Sequence, residues 1–184
     1  MEKTNSALLV MDMQSAILGT LSNPEQLIEN TKMVIAKARE QQLPIIYVVV
    51  GFSKGMPEIS EQNKAFSSVK KTLMAQDMQE WMAIHPELAP QNEDIRVVKK
   101  RFSAFAGSDL ELILRSQGIQ HLILTGISTS GVVLSTLREA ADKDYVLTVI
   151  DDCCMDHDVE VHNILMNKVF PRQAEIVHAT DWNT

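Results

Sequence analysis

The stretch His121–Ala140, HLILTGISTSGVVLSTLREA, decides the fold. It begins with the apolar run Leu122–Leu124, which predicts a buried strand, and a small hydroxyl-rich turn, Ser128–Gly131, follows. From Val132 onward, apolar residues recur at helical spacing, which predicts a helix directly after the turn. A strand that passes through a turn into a helix leaves backbone N–H groups unpaired at the helix start, and such groups bind anions and oxyanions. The sequence therefore predicts an anion site at this turn.

The same order of strand and helix recurs along the chain. Apolar runs predict further strands at 7–11, 45–50, 95–98, 145–150 and 174–177. Helical patterns follow at 24–38, 109–117, 132–140 and 159–170, with weaker ones at 62–66 and 68–82. This alternation predicts an α/β fold with six parallel strands in a three-layer α/β/α arrangement. We expect one domain over residues 1–184, since a chain of this length suits a single core.

Two helix starts carry specific signals. Asn23 precedes Pro24, which is typical of a cap residue followed by proline at the first helical position. Ser108 and Glu111 have the spacing of a capping box.

Composition excludes several classes of protein. The formal net charge is −7, and the 17 lysines and arginines are scattered, which argues against nucleic-acid binding. No apolar run approaches the ~20 residues of a membrane span, so we expect no membrane partner. The cysteines, Cys153 and Cys154, are adjacent, and a bond between them would be strained. A reducing, cytoplasmic setting is the simplest interpretation.

Charged residues stand where three of the predicted strands end. Asp12 follows the first strand and Lys99 ends the third, while Asp151 and Asp152 follow the fifth. Ligands of parallel sheets bind beyond the carboxyl ends of the strands, so a desolvated Asp12–Lys99 pair beside the turn would serve as a general acid/base apparatus. The alternative is that Asp12 only forms a turn and Lys99 is a solvated strand end.

Cofactor and metal sites are disfavoured. Asp12–Ser15 occupies the place where a dinucleotide fingerprint would need glycines, and the five histidines are dispersed. We therefore expect no cofactor and no metal ligands. His162 falls on the buried side of its helix, which predicts a hydrogen-bonded structural role. Cys153 and Cys154 are expected to pack as small apolar groups.

The irregular segment 51–94 separates the second and third strands. A segment of this length in an α/β domain usually covers a site or forms a subunit contact.

With these motifs in view, the chain resembles the isochorismatase-like hydrolases, also called the cysteine hydrolase superfamily. The resemblance rests on LLVMDMQ at 8–14, HPELAP at 85–90, VVKKRFSAFAGSDLELIL at 97–114, LILTGISTSGVVLSTLREAAD at 122–142 and VIDDCCMDHDVEVH at 149–162. It implies a six-stranded parallel sheet flanked by helices, a small-molecule substrate, and assembly into a homodimer or homotetramer.

The resemblance also implies a set of site residues. Asp12 and Lys99 match the family's acid/base Asp and its Lys partner, and the family's non-proline cis peptide falls at Ile127–Ser128. The resemblance places the cysteine nucleophile at Val132, which has no nucleophilic atom. The backbone amides of the turn, at Ile127, Ser128 and Gly131, would form the oxyanion site. Gln14 and Phe105 would shape a small pocket.

The missing cysteine leaves several chemistries open. Isochorismatases proper also lack the cysteine; the resemblance implies that their Asp donates the proton for vinyl-ether cleavage, and glycine is typical where Val132 stands here. Ser128, Thr129 or Ser130 could replace the thiol, although such residues also serve as helix caps. Gly51–Lys54 lacks the Asp-x-His of the nicotinamidase-type metal site.

Three functions follow from these observations. The leading hypothesis is a metal-independent hydrolase of this family that acts on a small ether, amide or ester. The rival is a non-catalytic descendant that binds a small molecule or only assembles. A redox protein that uses Cys153 and Cys154 ranks last, because no histidine or lysine neighbours them in sequence.

Overall fold

The architecture is a single parallel sheet flanked by helices. A computed structural model describes residues 5–183. The strands are β1 (Ser6–Met11), β2 (Ile45–Val50), β3 (Ile95–Lys99), β4 (His121–Ile127), β5 (Val146–Met155) and β6 (Glu175–Val177), in the sheet order β3-β2-β1-β4-β5-β6. The predicted six-stranded parallel α/β fold is confirmed. The strand order reverses beside β1, which pairs with β2 on one side and with β4 on the other, so the switch point lies between β1 and β4.

Helices cover both faces of this sheet. They are α1 (Ser15–Leu18), α2 (Glu25–Glu40), α3 (Lys64–Met74), α4 (Met78–Trp81), α5 (Leu110–Ser116), α6 (Leu134–Asp142) and α7 (Val159–Ile164). Short 3-10 turns occupy Pro86–Leu88 and Phe170–Arg172, and π-helical turns occupy Thr129–Val133 and Leu165–Val169. Within residues 5–183, no helix is both long and apolar enough to cross a membrane.

The core consists of two main layers, one on each face of the sheet. Leu9 of β1 packs in the layer that includes Leu114 of α5 and Leu137 of α6. Leu8 of the same strand packs in the opposite layer, which includes Val34 of α2. Burial on both faces explains why the central strands are continuous apolar runs rather than alternating patterns.

Strand β5 is longer than predicted. The expected end at Asp151–Asp152 is wrong, because the strand continues to Met155 after a shift in its register with β4. Asp152 is accommodated inside the strand by distant partners: its carboxylate accepts hydrogen bonds from the Asn30 side chain at 2.9 Å and from the Ala179 amide at 2.9 Å.

Both predicted helix starts are also wrong in detail. Asn23 adopts a left-handed backbone (φ 57°) and its side chain does not cap α2, which begins at Glu25. No capping box forms at α5, because the Glu111 carboxylate accepts a hydrogen bond from Lys143 at 2.7 Å instead of bonding back to the helix start. The predicted helix 159–170 is likewise divided, as α7 gives way to a π-helical turn after Ile164.

Candidate active site

Asp12 and Lys99 form a buried ion pair at the carboxyl ends of the strands. The Lys99 Nζ donates a hydrogen bond to the Asp12 Oδ2 at 2.8 Å. Strand β2 lies between β1 and β3, so the lysine side chain must extend across it to reach the carboxylate. Only 5% of Asp12 and 2% of Lys99 is exposed. The solvated strand-end interpretation of Lys99 is therefore wrong, and Asp12, which does lie at a bend after β1, is more than a turn residue.

The two members of the pair differ in how fully they are hydrogen-bonded. The Lys99 ammonium also donates to the carbonyl oxygens of Arg101 at 2.9 Å and Phe102 at 3.0 Å, so it has an acceptor for each of its three donors. The Asp12 Oδ1 is buried and has no hydrogen-bond partner within residues 5–183. One carboxylate oxygen is thus buried without a hydrogen bond, which is costly unless a substrate or water supplies one.

Burial and pairing act in opposite directions on Asp12. Burial raises the pKa of the Asp12 carboxyl, while the charge of Lys99 and its hydrogen bond lower it, and burial is the larger effect. Asp12 also has a left-handed backbone (φ 55°), which is uncommon outside glycine and is found at functional sites. A carboxyl with a raised pKa and a free oxygen is suited to proton transfer.

The turn after β4 lies directly beside this carboxyl. Met11 pairs with Gly126, which places Asp12 level with Ile127. A Cβ at Gly126 would lie 2.7 Å from the Met11 carbonyl oxygen, so only glycine allows the two strands to approach this closely at their ends. The cis peptide expected at Ile127–Ser128 is confirmed.

The Val132 side chain, at the position where the family resemblance places the nucleophile, is 1% exposed and packs in the core layer on the α5 and α6 side. Gly131 precedes it, and a Cβ there would lie 2.7 Å from the Ser128 Oγ. Ser128 is half-buried. The turn is therefore tightly packed against its own serine.

Two side-chain contacts fix the outer part of the turn. The buried Thr129 Oγ1 lies 2.8 Å from the His162 Nδ1, and the Ser130 amide donates to the Asp156 Oδ2 at 2.7 Å. The hydrogen-bonded role predicted for His162 is confirmed. Burial lowers the pKa of its ring, and the negative charges of nearby carboxylates oppose that effect. These bonds join the turn to α7 and to the residues that precede that helix. Asp156 was not among the predicted site residues, and no spacing in the sequence distinguishes it from the acids around it.

Gln14 is a tether rather than a free pocket residue. Its Oε1 accepts a hydrogen bond from the Val50 amide at 2.7 Å, and its Nε2 donates to the Trp81 carbonyl oxygen at 2.6 Å. Gln14 also forms an isolated antiparallel bridge with Ile84. These contacts hold the 51–94 segment against the chain that leaves β1 beside Asp12.

The structure does not place Phe105 at the site. The Phe105 ring packs against Tyr145, with ring centroids 6.1 Å apart, and lies 5.6 Å from the Lys143 Nζ. Tyr145 precedes β5 and Lys143 ends α6, so Phe105 belongs to the opposite end of the sheet from Asp12. The aromatic residue next to the turn is Phe102, whose ring lies 3.6 Å from the position of a Cβ built on Gly131.

Neither cysteine is arranged for catalysis. Burial raises the pKa of both the Cys153 and Cys154 thiols well above their ordinary value, which keeps them protonated. Both are free and buried, and they pack as the sequence predicted.

Among residues 5–183, one group offers potential metal ligands. Asp151, Asp152 and His178 have ligand atoms within 4.8 Å of one another. The cluster joins β5 to the chain after β6 rather than to Asp12, and its Asp152 carboxylate already accepts bonds from Asn30 and Ala179.

Residues 6–181 match the isochorismatase domain family. The chain is 33% identical over 174 residues to the uncharacterized isochorismatase family protein YecD of Escherichia coli O157:H7, a match that covers 93% of this chain and 90% of that protein. It is 32% identical over 169 residues to a ureidoacrylate amidohydrolase of Caulobacter vibrioides, covering 80% and 75% of the two chains. A solved isochorismatase family structure from Burkholderia thailandensis superposes with a TM-score of 0.83 at 26% identity, covering 96% and 93%.

Proposed function

The chain belongs to the isochorismatase family of hydrolases, and on that premise we propose that it is a metal-independent hydrolase in which Asp12 transfers protons and Lys99 supports it. The observation that carries the proposal is the buried 2.8 Å ion pair with one carboxylate oxygen unbonded. The substrate is a small ether, amide or ester.

The proposed reaction is a proton relay through Asp12. In its protonated form, favoured by burial, Asp12 donates its proton to the substrate, and water adds to the activated carbon. The Asp12 carboxylate then takes a proton from that water, which restores the protonated acid. The hydrated adduct collapses as its C–O or C–N bond breaks, and a proton passes from the added hydroxyl to the alcohol or amine that leaves. Lys99 stabilises the carboxylate between the two transfers, because its positive charge lies 2.8 Å away.

The turn supplies the second part of the site. The cis peptide at Ile127–Ser128 lies level with Asp12. The amides of Ser130 and Gly131 already donate to Asp156 and to the Ser128 carbonyl oxygen, so the oxyanion site predicted here would use the other amides of the turn. Val132 offers no nucleophilic atom, and the Thr129 side chain, which contacts His162, is fully buried. These residues favour general acid/base chemistry over a covalent intermediate.

The relatives support a hydrolytic reaction on a small substrate. The Caulobacter vibrioides relative is by name a ureidoacrylate amidohydrolase, which acts on an amide. We therefore propose that this chain hydrolyses the same class of bond, and we do not carry over the relative's individual substrate.

A panel of small amides, esters and vinyl ethers tests the proposal. Asp12→Asn and Lys99→Ala should each lower kcat/KM by about 100-fold or more on any substrate that the wild type hydrolyses. Glu40→Gln, an exposed carboxylate on α2, is the matched control and should leave the rate unchanged. A chelator should also leave it unchanged.

Two outcomes would contradict the proposal. Full activity of Asp12→Asn would remove the acid/base assignment. Ligand-induced stabilisation by panel compounds without turnover of any of them would favour the non-catalytic binding protein.

A further inference from the structure

An imidazole and two carboxylates meet at the edge of the sheet that β6 forms. The ligand atoms of Asp151, Asp152 and His178 lie within 4.8 Å of one another. The register of the two strands brings them together, since Ile150 of β5 pairs with Val177 of β6 and each is followed by a member of the group. We propose that these three residues bind a divalent transition metal ion of the Zn²⁺ type, which fastens the chain after β6 to β5.

The spacing of the donor atoms fits a single ion. The His178 Nδ1 lies 3.1 Å from the Asp151 Oδ1 and 2.9 Å from the Asp152 Oδ2. Zn²⁺ binds imidazole nitrogen and carboxylate oxygen at about 2.0–2.2 Å, so two ligands at about 90° around the ion lie about 3 Å apart. The nitrogen thus already has the separation of a neighbouring ligand from each carboxylate. The ion takes the place of the proton that the imidazole otherwise shares with these oxygens.

Neighbouring groups hold both carboxylates in position. The Asp152 Oδ2 accepts a hydrogen bond from the Asn30 side chain and its Oδ1 accepts one from the Ala179 amide, both at 2.9 Å. The Asp151 Oδ1 accepts one from the amide of Asp152 at 2.7 Å. Each carboxylate oxygen has two lone pairs, so these bonds are compatible with metal binding. Outer hydrogen bonds of this kind orient the ligands of a metal and strengthen its binding.

The charges of the group favour a cation, and its imidazole favours a transition metal. Within residues 5–183, His178 is the only residue that forms an ion pair with Asp151 or Asp152, and the negative charge of Asp181 also acts on its ring. The side chains of Asp151 and His178 are 35% and 56% exposed, so an ion can enter from solution. Mg²⁺ and Ca²⁺ prefer oxygen ligands, whereas Zn²⁺ accepts a mixed set of nitrogen and oxygen.

A metal in this place acts on the structure rather than on the reaction. Ala179 and Trp182, which follow His178, are buried in the core layer on the α2 side of the sheet. An ion that ties His178 to β5 opposes detachment of this segment and stabilises the folded chain. Strand β4 separates β5 from β1, so the ion has no part in the proton transfer proposed for Asp12.

Calorimetric titration of the full, chelator-treated chain with ZnCl₂ and with MgCl₂ tests the inference. Wild type should bind one Zn²⁺ with a Kd of about 10 μM or below, and Mg²⁺ at least about 100-fold more weakly. About 100 μM Zn²⁺ should raise the Tm by about 3 °C or more, and EDTA should reverse the rise. His178→Gln and Asp151→Asn should each weaken Zn²⁺ binding by about tenfold or more.

His157→Gln is the matched control. His157 is also exposed, and its Nε2 lies 3.4 Å from the Thr20 Oγ1, but it is not a member of the group. The variant should bind Zn²⁺ as tightly as wild type. Thermal melts without metal should show that every variant is folded, and the two ligand variants test the site independently of each other.

Absence of Zn²⁺ binding by wild type at about 1 mM would overturn the inference. Equal affinity for Zn²⁺ and Mg²⁺ would overturn it too, because it would indicate only the attraction of cations to an acidic surface. Undiminished Zn²⁺ affinity in folded His178→Gln or Asp151→Asn would place the ion elsewhere and refute the assignment. None of these measurements involves catalysis, so failure of the hydrolase proposal would appear separately, in the activity panel.

Discussion

Replacing Lys99 with methionine should destabilise the fold strongly, because it leaves the Asp12 carboxylate buried without its counter-charge. At 2.8 Å, the attraction between the two charges is about 6 kcal/mol at an effective dielectric constant of about 20. Methionine recovers part of this, since its apolar side chain needs no desolvation where only 2% of Lys99 is exposed. We expect a net loss of about 3–5 kcal/mol in the free energy of unfolding near pH 8.

The loss should depend on pH. Burial already raises the pKa of Asp12 in the folded protein, and removal of Lys99 removes the charge that opposes that rise. A carboxyl whose folded pKa is raised lowers the stability of the fold as pH rises from the unfolded pKa of about 3.9 towards the folded pKa, and the loss is absent below the unfolded value. The deficit of Lys99→Met should therefore shrink as the pH is lowered from about 8 to about 5, by at most about 1.4 kcal/mol per pH unit.

Denaturant unfolding of wild type and variant at several pH values provides the measurement. Asp12→Asn combined with Lys99→Met removes both charges and should recover most of the stability. Lys143→Met is the matched control: its pair with Glu111 is equally short, 2.7 Å, but the two side chains are 27% and 44% exposed, so the loss should stay within about 1 kcal/mol. A deficit for Lys99→Met that is below about 1 kcal/mol, or that is constant with pH, would refute the reasoning.

Three further predictions concern the residues around this pair. Val132→Cys places a thiol at the position where the family resemblance puts the nucleophile. Because Val132 is 1% exposed, this thiol should resist iodoacetamide in the folded protein and confer no more amide hydrolysis than Val132→Ala, which shortens the same side chain without a thiol. Amide hydrolysis by Val132→Cys alone that iodoacetamide blocks would contradict this. Cys153 and Cys154 should resist thiol reagents in the native protein and react only on unfolding, because both are buried and burial raises the pKa of both thiols. Rapid labelling of the native protein in a colorimetric thiol assay would contradict this. Gln14→Ala should lower the free energy of unfolding by about 1–3 kcal/mol in denaturant titrations, since it leaves buried backbone groups without hydrogen-bond partners. A loss below about 0.5 kcal/mol would contradict the role of Gln14 in holding the 51–94 segment.

The strands that position the site could be predicted from the sequence because they are buried on both faces. Continuous apolar runs at β1 and β2 have no other simple interpretation, and they placed Asp12 within one residue of its strand end. Lys99 followed from a shorter apolar run on the edge strand β3, where burial alternates. Their pairing then follows from parallel strands, whose carboxyl ends meet at one edge.

Other features depend on contacts that no local pattern contains. The end of β5 was misplaced because two aspartates interrupt an apolar run, and the residues that accommodate them, such as Asn30 and His178, are distant in sequence. Phe105 was assigned to the pocket because it lies in a family motif, yet the turn after β3 directs its ring to Tyr145 and brings Phe102 to the site instead. A motif locates a segment, but the direction of each side chain depends on the packed turn.

The energetics of Asp12 argue that it is retained for chemistry rather than for folding. A buried ion pair contributes little to stability compared with well-packed apolar residues. Here the carboxylate also has an unbonded buried oxygen and a left-handed backbone, each of which costs about 1–3 kcal/mol. A fold that needed only a filled core would gain stability by replacing the pair. Asp12 thus combines three unfavourable features at the switch point of the sheet. They support the proposal that the pair is kept for proton transfer by Asp12. Val132, which has no thiol, excludes a covalent thiol step from that reaction.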